Sequence, residues 1–172
     1  MIERLREEFG HWEFDLVIGS KTKDDNVLLT MLERKTREFL MIPVANKEAS
    51  TISNALMSLR NRYIEHFDEV FKTITTDNGS GFADLSQIES VAKTLVYYAY
   101  LYTSCEKGSV ERHNGLIRRF IPKGKRIDQF SIQAIADVET WCNSFPQKIS
   151  DYRTPDELFE EELDKIYQLD VA

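Results

Sequence analysis

Cysteine is scarce: two in 172 residues, Cys105 and Cys142, at a separation that fits neither a zinc site nor a redox pair. With no cluster of His and Cys, a soft-metal centre is excluded, and a reduced cytoplasm is the simplest setting. No apolar run approaches the length of a membrane span. The N-terminal stretch MIERLREEFGHWEFD is charged and lacks the apolar core of a secretory leader. A Gly-rich phosphate loop and the sharp turn of a serine nucleophile are both missing. So are repeats, low-complexity tracts and any clear linker. What remains is the length of one domain that can bury a good core. Positive charge is also in deficit. A net charge of -7 speaks against nucleic acid as a partner unless the basic residues are gathered in one place.

They are gathered. Arg118, Arg119, Lys123, Lys125 and Arg126 form one dense cluster, while the stretch from Asp151 carries Asp156, Glu157, Glu160, Glu161, Glu162 and Asp164. Uneven charge of this kind restores a phosphate-binding reading locally, although a solvated face is the ordinary meaning of such a run.

The chain is organised around Phe71 to Phe82, FKTITTDNGSGF. Thr73 to Thr76 reads as a short β-branched strand that breaks at Asp77 into Asn78, Gly79, Ser80 and Gly81. Asp77 is therefore expected at the carboxyl end of a strand, the edge at which open α/β sheets bind ligands. The same residues also suit a plain Asx-turn.

Upstream, Trp12 to Gly19 alternates at strand period, with Trp12, Phe14, Leu16 and Ile18 on one face and Glu13, Asp15 and Val17 on the other. Val27 to Leu32 and Glu38 to Val44 continue an antiparallel meander. The intervening acids Asp24 and Asp25 read as solvated turn residues. Asn46 is expected to cap a helix whose stripe is Ala49, Ile52, Leu56, Leu59 and Tyr63. A helix between strands implies a crossover, so the strand ending at Asp77 runs parallel to one of the first three. A short helix over Asp84 to Ala92 and a strand over Leu95 to Tyr100 follow, the latter with aromatics expected to pack. A helix from Ser109 to about Ile121 places Glu111, Asn114, Gly115 and Arg118 on one face, away from Val110, Leu116, Ile117, Phe120 and Ile121. His113 reads as a packed histidine. Ser131 to Phe145 is the next helix, with Ile132, Ile135, Ala136, Val138 and Trp141 as core. Glu13 shares the strand face of Asp15 but reads as a surface acid.

Three acids thus stand out: Asp15, Asp77 and Glu111. Hard divalent ions take oxygen ligands, and two such ions can clamp an in-line phosphoryl displacement.

GHWEFDLVIG, ITTDNGSGF and EKGSVERHNGLIRRFIPKG resemble the three catalytic blocks of the IS30-type transposases, within the DDE transposase and retroviral integrase superfamily. The resemblance runs from about Gly10 to about Phe159, with 33 residues between Asp77 and Glu111. Phe14, Gly81 and Cys105 depart from the usual family residues.

The resemblance implies an α/β, ribonuclease H-like fold: a five-stranded mixed sheet, three antiparallel strands then parallel strands, flanked by helices. It implies Asp15, Asp77 and Glu111 as catalytic and metal-binding residues for Mg²⁺ or Mn²⁺, two ions in all. Asn114, Arg118, Arg119, Lys123, Lys125 and Arg126 are the expected DNA contacts. The expected activity is DNA strand cleavage and strand transfer on transposon ends and target DNA, by a homodimer or higher oligomer on DNA, in a bacterial cytoplasm and away from membranes. Residues 1–172 are expected to form one catalytic core with an acidic helical tail from about 151, and without the family's N-terminal DNA-recognition region. Two other readings stay open: a nuclease that only hydrolyses, and a non-catalytic DNA-binding or dimerisation remnant.

Overall fold

A computed structural model describes residues 6–99 and 104–169. Its sheet has five strands in the order β3-β2-β1-β4-β5. β1 (His11–Ile18), β2 (Val27–Glu33) and β3 (Phe39–Val44) form the antiparallel meander, and β4 (Thr73–Thr76) lies parallel to β1. β5 (Leu95–Tyr98) lies parallel to β4 at the edge. The connection from β3 to β4 carries α1 (Ala49–Tyr63) and the single turn α2 (Phe67–Val70). α3 (Ser86–Val91) links β4 to β5, and α4 (Ser104–Ile117), α5 (Ile132–Asn143) and α6 (Pro155–Tyr167) complete the chain.

The strand alternation sorts the core into two layers. Trp12, Phe14, Leu29 and Met31 face Ile52 and Leu56 of α1, Phe67 of α2, Ile88 of α3 and Phe159 of α6. Val17, Leu28, Leu32, Phe39 and Met41 face Val110 and Ile117 of α4 and Ile135, Val138 and Cys142 of α5. β2, buried along its whole length, is apolar on both faces for this reason. Among the described residues no helix is long and apolar enough to cross a membrane.

Several elements differ from expectation. α4 begins at Ser104, and Ser109 lies inside it. Asn46 accepts from the Glu48 N–H at 2.9 Å, but the N-cap of α1 is Glu48 itself. β5 stops at Tyr98, and Tyr97 and Tyr98 are exposed, as befits an edge strand whose outer side nothing covers among the described residues. Tyr100 lies outside the described residues. Ile132 and Ala136 face solvent because α5 turns only one stripe to the sheet, and Phe120 is half-exposed against Trp141, ring centroids 4.9 Å apart. The acidic segment from 151 carries the helix α6, which packs into the core. Phe159 is 7% exposed and meets Phe9 at 5.5 Å and Trp12 edge-on at 5.9 Å.

Candidate active site

β1 and β4 run side by side with Glu13 paired to Thr75. Asp15 lies two residues beyond that last pair on β1, and Asp77 directly follows β4, so the same register continued by two residues would set the two acids level. Asp15 is half-buried and Asp77 exposed. The Asp77 carboxylate is held by its own turn: Oδ1 accepts the Gly79 N–H at 3.0 Å. The Asx-turn and the strand-edge acid are thus the same residue. A Cβ at Gly79 would lie 2.8 Å from that Oδ1, so a side chain there would push the carboxylate away. Gly81 is buried, and a Cβ on it would meet Leu16 Cδ1 at 2.8 Å and the Lys47 carbonyl at 3.0 Å. A side chain at that position would require Leu16 and the Lys47 carbonyl to give way.

α4 tracks β1 rung by rung. The Val110 N–H donates to Glu13 Oε2 at 2.9 Å, Asn114 Nδ2 to Asp15 Oδ2 at 2.8 Å, and Arg118 Nη2 to the Ile18 carbonyl at 2.9 Å. Glu111, exposed, sits one turn before Asn114 on the same helix face, about 4.5 Å along the axis. Asn114 Oδ1 is buried and has no hydrogen-bond partner among the described residues. It is an oxygen next to a carboxylate with its acceptor capacity unused. Among the described residues no three His, Cys, Asp or Glu side chains close up into a metal-holding group. The structure therefore places Asp15 on β1 and Asp77 directly after β4 and sets Glu111 on the helix above them, without drawing all three together.

Glu13 is no surface acid. It is 2% exposed and paired with Arg34, itself 4% exposed, at 3.0 Å. Removing one member of such a pair leaves a buried charge, typically a cost of about 3–5 kcal/mol. With its other oxygen on Val110, Glu13 anchors α4 to the strand that carries Asp15. Asp25 is also buried, at 3%, against its reading as a solvated turn residue. Neither role was legible, because the partners lie 97 and 102 residues away in sequence. His113 does pack: its ring lies 5.3 Å from that of Phe39 and Nδ1 meets the Ser109 carbonyl at 3.0 Å. Burial holds its pKa below the usual value.

The basic cluster splits in two. Arg118 is half-buried and spends its donors on the Ile18 and Ile121 carbonyls. Arg126 is paired with Asp24 at 3.1 Å and with Asp128. Arg119, Lys123 and Lys125 are exposed and form no ion pair with any described residue.

No protein-family profile matches the chain. A probable transposase for the insertion-like sequence element IS1161 of Streptococcus salivarius is 36% identical over 155 residues, covering 90% of this chain and 43% of that protein. The transposase InsI of the insertion sequence element IS30A of Escherichia coli K12 is 28% identical over 155 residues, covering 90% of this chain and 39% of that one. The chain belongs to the IS30 transposase family. It spans less than half the length of these family members. The catalytic core domain of BIV integrase superposes with a TM-score of 0.65 at 15% identity, over 92% of this chain and 98% of that one. The fold of this IS30-family chain is accordingly ribonuclease H-like, as expected.

Proposed function

We propose that this chain is the catalytic core of an IS30-type transposase, a divalent-metal-dependent polynucleotidyl transferase that cuts DNA and joins the freed 3′-hydroxyl to a target strand. The observation that carries the reading is the placement of Asp15 on β1 and of Asp77 directly after its parallel neighbour β4, each two residues past the pair Glu13–Thr75, in a chain 36% identical to a probable transposase. The oxygen-only donor set and the unused acceptor of Asn114 suit a hard cation. Asp15 and Asp77 would hold Mg²⁺ or Mn²⁺, with Glu111 completing a second site. Bound there, such ions neutralise charge on the reacting phosphate and activate the attacking oxygen.

The chain's own residues supply position. Asn114 and Gly79 each fix one carboxylate oxygen, so neither acid swings freely. Glu13 holds α4, and with it Glu111, against β1. In the joining step the 3′-oxygen bonds to phosphorus as the opposite P–O bond breaks. The proton of the attacking hydroxyl passes to solvent, and the departing oxygen is protonated in turn. In-line geometry of this kind is chiefly a matter of positioning. Arg119, Lys123 and Lys125 are among the exposed cations without an ion pair to any described residue, and they suit backbone contacts that position DNA without reading it. A homodimer or higher oligomer forming on DNA in the bacterial cytoplasm completes the reading.

The test is a duplex with a labelled 3′-hydroxyl end, target DNA and Mg²⁺ or Mn²⁺. Wild type is expected to give strand-transfer products. Asp15→Asn, Asp77→Asn and Glu111→Gln are expected to lose them by orders of magnitude with DNA affinity retained. Cleavage products alone would establish the hydrolytic nuclease, and DNA binding with no product the non-catalytic remnant.

A further inference from the structure

The β1–β2 turn and the segment between α4 and α5 are locked together. Asp25, 3% exposed, is the lock. Its Oδ2 accepts the Ser20 N–H at 3.1 Å and Oγ at 2.8 Å, on its own turn. Its Oδ1 accepts the N–H groups of Ile127 at 2.8 Å and Asp128 at 3.2 Å, on the other. Arg126 adds a second tie, to Asp24. Gly19 lets the backbones touch: a Cβ there would lie 2.3 Å from the Lys125 carbonyl, and the Gly124 N–H reaches the Gly19 carbonyl at 3.0 Å. Ile121 and Ile127, at 1% and 0% exposure, pin the second loop into the core.

All three carboxylates of this unit face inward or are paired. Asp25 is buried, and Asp24 and Asp128 are both on Arg126. Asp24 and Asp128 meet solvent as well, both on Arg126, and beside them stand five further cations: Lys21 and Lys23 on the first loop, Arg119, Lys123 and Lys125 on the second. All five are exposed and form no ion pair with any described residue. In a chain of net charge -7 this is a cationic outcrop on a stiff base. Its base begins at Gly19, just past the carboxyl end of β1 and four residues beyond Asp15, about 13 Å of extended chain.

We propose that these two cross-tied loops form one clamp for the phosphate backbone of DNA, in which Lys21 and Lys23 grip as much as Lys123 and Lys125, while Arg118 and Arg126 hold the loops and touch no phosphate. This rests on the DNA-processing reading above. A rigid base matters because the lysines then lose little freedom on binding beyond their own side chains. Loops on independent hinges would have to be ordered first.

The experiment measures affinity for a random-sequence duplex against salt, without catalysis, for the intact chain and four variants: K21A/K23A, K123A/K125A, the two combined, and the control K93A/K148A, which removes the charge of two exposed lysines elsewhere. Each lost phosphate contact lowers the slope of log affinity against log salt by about 0.9. Both loop variants are expected to lose about 1.8, the combined four-lysine variant about 3.6, and the control nothing. An unchanged slope for K21A/K23A beside a reduced one for K123A/K125A overturns the two-loop clamp and leaves the transposase reading intact. Equal loss in the control reduces the effect to net charge and also overturns it. Failure of the wild-type chain to bind the duplex at all overturns both.

Discussion

At the scale of single residues, the acids of this chain divide by what surrounds them. Asp15 and Asp77 keep access to solvent, whereas Glu13, Asp25, Glu33 and Glu38 are buried and spent on structure. Glu38 has the most unusual setting. Burial, then the nearby charges of Asp156, Glu139 and Glu160, push its carboxyl up to about 8. Only one oxygen is bonded, to Asn143 Nδ2 at 3.0 Å, and Oε2 has no partner among the described residues. Between the ordinary carboxylate pKa of about 4.3 and this raised value, the unfolded chain has lost the proton that the folded chain keeps. Stability therefore falls as pH rises through that window, and levels off above it. Glu38→Gln removes the penalty. The melting-temperature difference between variant and wild type is expected to move in favour of the variant from about pH 5 to about pH 8.5. A difference that stays constant would show that Glu38 ionises freely in the fold.

At the scale of elements, what the sequence made legible was local. β4 spans Thr73–Thr76 as read, because a β-branched run stops at an Asx-turn whose hydrogen bond is present. The apolar stripe of α1 buries Ile52, Leu56 and Leu59 for the same kind of reason. α6 carries its signal in Thr154 and Glu157, which cap each other: the Thr154 side chain accepts the Glu157 N–H at 3.2 Å, and Glu157 Oε2 accepts the Thr154 N–H at 2.9 Å. Thr154→Ala is expected to cost about 1 kcal/mol by denaturant unfolding. Substituting the exposed Glu160 should change stability by no more than about 0.5 kcal/mol. What stayed illegible was long-range. A charged residue in a strand or a turn looks solvated until its partner is known, and Glu13 and Asp25 find partners on α4 and the loop beyond it. For the candidate site this meant that its acids could be named from the motif blocks. The side chains that hold them, and the split between free and engaged cations, needed coordinates.

At the scale of the whole molecule, the acidic C-terminal helix is part of the core. Phe159 reaches across to the first strand and sits against Trp12, whose indole N–H is taken by the Val70 carbonyl at 2.7 Å. Phe159→Ala is expected to destabilise the protein by about 3 kcal/mol or more, the usual range for deleting a buried aromatic ring. Salt-dependent DNA binding per folded molecule should not change, because the helix packs on the face of the sheet opposite α4. A variant that melts like wild type would return α6 to the status of an appendage.

The tie made by Asp25 also has a meaning in time. Its first partner, Ile127, is 102 residues further along the chain. A ribosome adding about 5–20 residues per second delivers that partner roughly 5–20 seconds after Asp25 itself. Through that interval the carboxylate is hydrated, and Lys21 and Lys23 ride on an untethered turn. The nascent chain thus has no assembled cationic surface to offer the nucleic acids around it. On the clamp proposed above, that surface forms only once the sheet, α4 and the loop beyond have come together.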